Sequence, residues 1–127
     1  MKSESLIKSF QYAIAGVAYV LRTQRNAKIH AAAFMVVLAM AAWLQLPALH
    51  WAVLILTSGL VFVAEIANTV IETLVDLVSP DHHDLAGRAK DVAAGAVLCA
   101  AVLAVVVGAI VLGPPLISEF VELFGQS

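Results

Sequence analysis

The chain has 127 residues, is 62% hydrophobic and only 13% charged, and its net charge is −2. That is too apolar for a soluble domain of this length and leaves room for one small membrane domain and no second fold. A single cysteine, Cys99, lies in an apolar run, which excludes an internal disulfide and argues against a thiolate metal cluster.

The N-terminal segment is polar and shows no short apolar core with a small-residue cleavage site, so no signal peptide is expected. Residues 1–27 read instead as an amphipathic surface helix. Leu6, Phe10, Ala13, Val17 and Val20 recur at spacings of three and four, while Lys2, Lys8 and Arg22 fall outside that set. The segment is not apolar enough to span, and its basic residues suit anionic headgroups. Arg22, Arg25 and Lys28 form a basic collar before the first span, residues 28–46. Pro47 breaks that helix. The second span covers residues 50–78 and stops at Ser79-Pro80, with Trp43 and Trp51 as interface anchors on one side. A polar loop, DHHDLAGRAKD, leads to the third span, residues 89–113, and Pro114-Pro115 end or bend it. The tail, residues 114–127, carries Glu119 and Glu122 among Phe120, Val121 and Phe124. The expected fold class is therefore an all-α membrane protein with an N-terminal surface helix and three transmembrane helices.

All seven basic residues lie before the first span or between the second and third. The positive-inside rule then puts the N-terminus and the loop at 79–91 in the cytoplasm and the C-terminus outside. The expected location is the cytoplasmic membrane, and no nucleic-acid partner is expected.

The second span contains AEIANTVIETLVDLV, Ala64 to Val78. Glu65, Asn68, Glu72 and Asp76 are spaced i, i+3, i+7 and i+11. At about 100° per residue they share one stripe on one face, and at about 1.5 Å per residue the stripe is about 16 Å long. Ionisable groups in a bilayer are costly, so such a stripe marks a functional site facing protein or water. With Arg88, Lys90 and Asp91 nearby in the chain, it is an oxygen-rich set suited to Mg²⁺ and phosphate, with a spare carboxylate able to take a proton from an alcohol. No GxxxxGK[ST] loop occurs, which excludes a P-loop cradle. Spacing alone equally accommodates a proton or cation path in a small transporter, or contacts between helices in an oligomer.

The stretch AEIANTVIETLVDLV followed by HDLAGRAKDVAAGAVL resembles the signature of the small prokaryotic lipid kinases, the diacylglycerol kinase and undecaprenol kinase family. The matching positions are Glu65, Asn68, Thr69, Ile71, Glu72, Val75 and Asp76, then Ala89, Lys90 and Asp91. The three-span plan is similar as well, over roughly residues 5 to 112. RNAKIH, Arg25 to His30, resembles the branch in which undecaprenol is a common acceptor and leans the acceptor toward undecaprenol over diacylglycerol.

The resemblance implies ATP as co-substrate, Mg²⁺ as metal, a membrane lipid as acceptor, and a homotrimer with composite sites at the cytoplasmic interface. It implies Glu65 as the base on the lipid hydroxyl and Glu72 as the ligand of the metal on the ATP phosphates. Asn68, Asp76, Lys90 and Asp91 would hold nucleotide, phosphate and each other. Arg88, weighed on its own position, is either a headgroup or phosphate contact or a purely topological charge. One departure stands out. The family's further metal-binding glutamate, just before the first span, falls here on Gln24, and no Asp or Glu lies between Glu4 and Glu65. A neutral carbonyl oxygen is a weaker ligand for a hard cation, so a catalytically weak relative is the alternative to a full kinase. His30 and His50 are expected at the interfaces, and His82 and His83 in a solvated loop.

Overall fold

A computed structural model describes residues 5–125; Lys2, the rest of residues 1–4 and the last tail residues, 126–127, lie outside them. Four helices follow one another: α1 (Leu6–Thr23), α2 (Arg25–Trp43), α3 (Ala48–Val78) and α4 (Asp84–Phe124). No strand occurs among the described residues. α2, α3 and α4 are long and apolar enough to cross a membrane. At about 1.5 Å per residue they are about 28, 46 and 60 Å long, against a hydrocarbon core of about 30 Å.

α1 starts at Ser5, whose side-chain oxygen accepts a hydrogen bond from the backbone N–H of Lys8 at 3.2 Å, a standard N-cap. It ends one residue before α2. Gln24 is the break: its backbone is extended at φ −100° and ψ 115°, and its N–H still donates to the Val20 carbonyl at 2.9 Å. The break between α1 and α2 therefore falls at Gln24, ahead of Arg25 and Lys28. Of the apolar stripe on α1, Val20 alone is buried, while Leu6, Phe10 and Val17 are exposed in the isolated chain.

The turn from α2 to α3 follows from backbone bonding. Gln45 N–H donates to the Ala42 carbonyl and Leu46 N–H to the Ala41 carbonyl, both at 3.2 Å, with Gln45 left-handed at φ 52°. This is a Schellman closure, with Leu46 folding back on Ala41 as its apolar contact. Pro47 then caps α3. Ala41, Leu46, Leu54 and Leu112 form the core at this end, with Trp51 and Leu116 packed against them. Trp51 is thus partly drawn into the core, while Trp43 stays exposed.

Within α3 the hydroxyls of Thr57, Thr69 and Thr73 donate to the carbonyls of Val53, Glu65 and Thr69 at 2.7, 2.9 and 2.8 Å. Each hydroxyl is satisfied inside its own helix, which an apolar setting demands. α3 ends where Ser79 N–H reaches Val75 and Pro80 prevents another turn. Residues 79–83 turn the chain, and His83 Nδ1 caps α4 by accepting from Leu85 N–H at 3.1 Å.

α4 does not stop at Pro114-Pro115; it runs through both to Phe124. Two prolines delete two ladder bonds, yet Leu112 and Leu116 on either side are held in the core cluster, so packing keeps the helix going. α3 and α4 are antiparallel and in register. Lys90 pairs with Asp76 at one end, Leu112 shares the core with Leu54 at the other, and each helix has the same number of residues between the two contacts. Many large apolar side chains, among them Leu56, Val105 and Ile110, remain exposed along the outside of this bundle, as lipid-facing or chain-facing surface does.

Candidate active site

The α3 stripe grades from dry to wet. Glu65 is 2% exposed and Asn68 is 9% exposed. Glu72 is half-buried, and the Asp76 side chain is 66% exposed. The inner end of the bundle is built from small residues: Ala27 of α2 and Ala93 and Ala100 of α4 are buried, and small side chains let helices approach closely.

Two contacts join the polar residues. Asn68 Nδ2 donates to Glu72 Oε1 at 3.3 Å. Lys90 Nζ donates to Asp76 Oδ1 at 2.5 Å, and its charge also acts on Glu72. Sequence elements α3 and α4, separated by the turn at 79–83, are thereby stitched at the site. On the stripe two acceptors have no partner, Glu65 Oε2 and Asn68 Oδ1, both buried and unbonded; the other such atom among the described residues is His50 Nδ1. A buried polar atom left without a bond is destabilising by about 1–3 kcal/mol, and such atoms cluster where a ligand or proton is handled.

The remaining expected site residues stand apart from these contacts. Arg88 and Asp91 are exposed and form no hydrogen bond or ion pair among the described residues. Gln24 is half-buried at the joint of α1 and α2, and its Nε2 donates to Thr23 Oγ1 at 3.3 Å. In the loop, His82 lies 3.6 Å from Asp84 with both side chains 91% exposed, a solvated pair.

Two residues without an assigned site role take part in the geometry here. Thr69 is buried, and its hydroxyl ties back to the Glu65 carbonyl. His30 lines a cavity between α2, α3 and α4. The helical repeat of α2 carried that signal only once its register against α3 was known.

Among the described residues no three His, Cys, Asp or Glu side chains converge as a closed metal cage. The donor set instead offers the Glu72 carboxylate and the unbonded Asn68 carbonyl oxygen, one turn apart. Hard-oxygen donors in small number fit Mg²⁺, which keeps waters and takes the rest of its shell from phosphate.

Comparison with known proteins adds a lineage to this geometry. Residues 11–112 match the family model described as prokaryotic diacylglycerol kinase. A Synechocystis sp. protein named diacylglycerol kinase is 51% identical over 118 residues, which cover 92% of this chain and 67% of that one. The Bacillus subtilis protein named undecaprenol kinase is 41% identical over 109 residues, covering 86% and 89% of the two chains. The Escherichia coli K12 protein named diacylglycerol kinase is 36% identical over 110 residues, covering 81% and 90%.

Proposed function

This chain belongs to the prokaryotic diacylglycerol kinase family and is an integral membrane lipid kinase using ATP, and we propose that its phosphoryl transfer takes place along the α3 stripe at the cytoplasmic face. The observation that carries the proposal is the single face on which a buried, unbonded carboxylate at Glu65 leads to an exposed one at Asp76. A lipid hydroxyl reaches the buried end from the bilayer, and nucleotide phosphates reach the exposed end from water.

In the proposed reaction the lipid hydroxyl oxygen attacks the γ-phosphorus of ATP. The new O–P bond forms as the bond to the bridging oxygen of ADP breaks, and the Glu65 carboxylate takes the hydroxyl proton. Lys90, held by Asp76, neutralises phosphate oxygens. Asn68 orients Glu72, and Asp91 and Arg88 complete the nucleotide and headgroup contacts. Mg²⁺, held by Glu72 and more weakly by Gln24, would supply charge neutralisation on the phosphates. The N-terminus is cytoplasmic and the C-terminus outside, because all basic residues lie on one side of the spans. α1 rests in the headgroup layer, which would cover the apolar side chains its own chain leaves open. A homotrimer completes the site and would bring Gln24, Arg88 and Asp91 to the stripe from more than one copy.

Relatives carry both acceptor names. RNAKIH leans toward undecaprenol, while the 51% identical relative named diacylglycerol kinase weighs the other way. Both acceptors offer a primary hydroxyl at headgroup depth, and the bilayer itself solvates their tails. Gln24 favours a second reading, a kinase of reduced activity.

Transfer from γ-labelled ATP in mixed micelles, with undecaprenol and diacylglycerol as separate acceptors, tests the proposal. Phosphorylated lipid that disappears in Glu72→Gln and in Glu65→Gln is expected. Near wild-type transfer by Glu65→Gln would remove Glu65 from the base role. No transfer to either lipid from folded protein at high Mg²⁺ would favour the weakened kinase.

A further inference from the structure

α4 opens on a histidine. His83 is extended at φ −144° and ψ 134°, its carbonyl accepts from Gly87 N–H at 3.0 Å, and its Nδ1 accepts from Leu85 N–H at 3.1 Å. It is the N-cap, a place that Ser, Thr, Asp or Asn usually fills with a side-chain oxygen. An imidazole does the same task in one state alone. Nδ1 accepts only while it carries no proton, so the proton of the neutral ring sits on Nε2.

The turn that this bond starts has little else to hold it. Leu85 is 67% exposed, Asp84, Arg88 and Ala89 are exposed, and Ala86 and Gly87 are only half-buried. Gly87 also lowers the intrinsic helix preference of the turn. A cavity of about 540 Å³ separates it from the end of α3, lined by Leu74, Val75 and Val78 of α3 and by His83, Leu85 and Ala86 across from them, among others. Among the described residues the first hydrogen bond from α4 to α3 is Lys90 to Asp76, and the first buried side chain of α4 is Ala93. No charged group of α3 lines the cavity that the His83 ring faces. The charged and titratable neighbours are those of its own loop and turn: Asp81, Asp84, Arg88 and His82, whose Nε2 lies 3.6 Å from Asp84.

We propose that His83 is a positioning residue: its neutral imidazole caps α4 and holds the turn leading to Arg88 and Lys90 in place for the nucleotide phosphates, and acid releases that turn. Protonation replaces the acceptor by an N–H and sets a positive charge against the positive end of the helix. The cap is therefore present at high pH and is lost as the pH falls through the range, about 5 to 8, in which histidine changes charge. The consequence for nucleotide rests on the phosphoryl-transfer site proposed above; the cap itself does not.

Hydrogen exchange on ¹⁵N-labelled protein in detergent micelles tests the cap. At about pH 8 the His83 ring, identified by its loss in His83→Asn, should carry its proton on Nε2, and the Leu85 amide should be protected. From about pH 8 to about pH 5.5 that protection, corrected for the intrinsic exchange rate, should fall about fivefold in the wild type. It should stay level in His83→Asn, whose side-chain oxygen accepts throughout. A proton on Nδ1 at the higher pH, or equal protection at both, overturns the cap. In transfer assays over the same range, KM for MgATP should rise about fivefold more in the wild type than in His83→Asn, with kcat moving alike in the two. Comparing the two chains cancels the titration of ATP and of the carboxylates. His83→Ala should show the raised KM at both pH values, and His82→Asn should follow the wild type. Equal KM profiles in the wild type and His83→Asn overturn the positioning role, whether or not the cap titrates. Should the wild type transfer no phosphate at the higher pH, the phosphoryl-transfer reading fails while the exchange data still decide the cap.

Discussion

Asn68→Leu removes the amide N–H that orients Glu72, and with it the candidate metal donor Oδ1, so the effect of losing the bond alone is a lower bound. The Asn68–Glu72 bond is 3.3 Å long, beyond the usual N–H···O distance. A hydrogen bond to a charged group contributes about 1.5–3 kcal/mol, and a bond this long belongs at the lower end, about 1.5 kcal/mol. That is roughly a tenfold effect on an equilibrium or a rate. If Glu72 is the metal ligand, the loss should appear as a rise of about tenfold in the Mg²⁺ concentration for half-maximal rate, with kcat/KM for MgATP falling in step. Leucine should not weaken the fold. Asn68 is 9% exposed and its Oδ1 has no partner, so the substitution also removes an unsatisfied buried acceptor. Steady-state transfer across a Mg²⁺ titration, with an unfolding curve on the same preparation, reads both effects. An unchanged Mg²⁺ requirement in a folded variant would refute the role given to this bond, and a loss of activity matched by a loss of folded protein would make it structural.

Gln24→Glu restores a carboxylate at the α1–α2 joint and should lower the Mg²⁺ needed for half-maximal transfer; no change would separate Gln24 from the metal. Lys90→Met breaks a pair whose members are 40% and 66% exposed, and exposed pairs contribute little to folding. Its unfolding midpoint should hold while KM for ATP rises, and a large drop in the midpoint would make the pair a structural clamp. Gln45 is exposed and left-handed, so Gln45→Gly should stabilise the chain by about 1 kcal/mol, seen in SDS-induced unfolding from mixed micelles. Residues 119–125 lie past the start of α3 in register, and all of 119–127 fall outside the matched segment. Their deletion should leave transfer unchanged, and a loss would give the end of α4 a part in the site.

The three spans were legible because uninterrupted apolar runs of this length have few other solutions. The stripe was legible because a helical repeat converts spacing directly into a face. Spacing alone did not separate a kinase from a transporter; the motif did, and the family match agrees with it. What stayed hidden depended on contacts between helices. The depth gradient was legible as a trend, because a helix longer than a minimal span brings Asp76 to the water boundary and keeps Glu65 deeper, and their exposures follow it; the near-complete burial of Glu65 was not. His30 read as an interface residue, and only the packing of α2 against α3 and α4 shows that it also lines a cavity. Pro114-Pro115 are local stop signals, overridden because Leu112 and Leu116 dock on the neighbouring helices. In the reverse direction, the single extended residue Gln24 ended α1 earlier than its composition indicated.

The burial gradient along α3 has a consequence for a catalyst with two reactants that do not mix. Over about 16 Å one helix face crosses from a medium that dissolves a polyisoprenoid or acyl chain to one that dissolves a nucleotide. On the proposed reading, neither reactant leaves its own solvent: each is carried to the plane where the two phases meet, and only a phosphoryl group crosses. The membrane then supplies the partitioning that a soluble kinase must build from protein, and the helix face itself needs no deep lipid pocket.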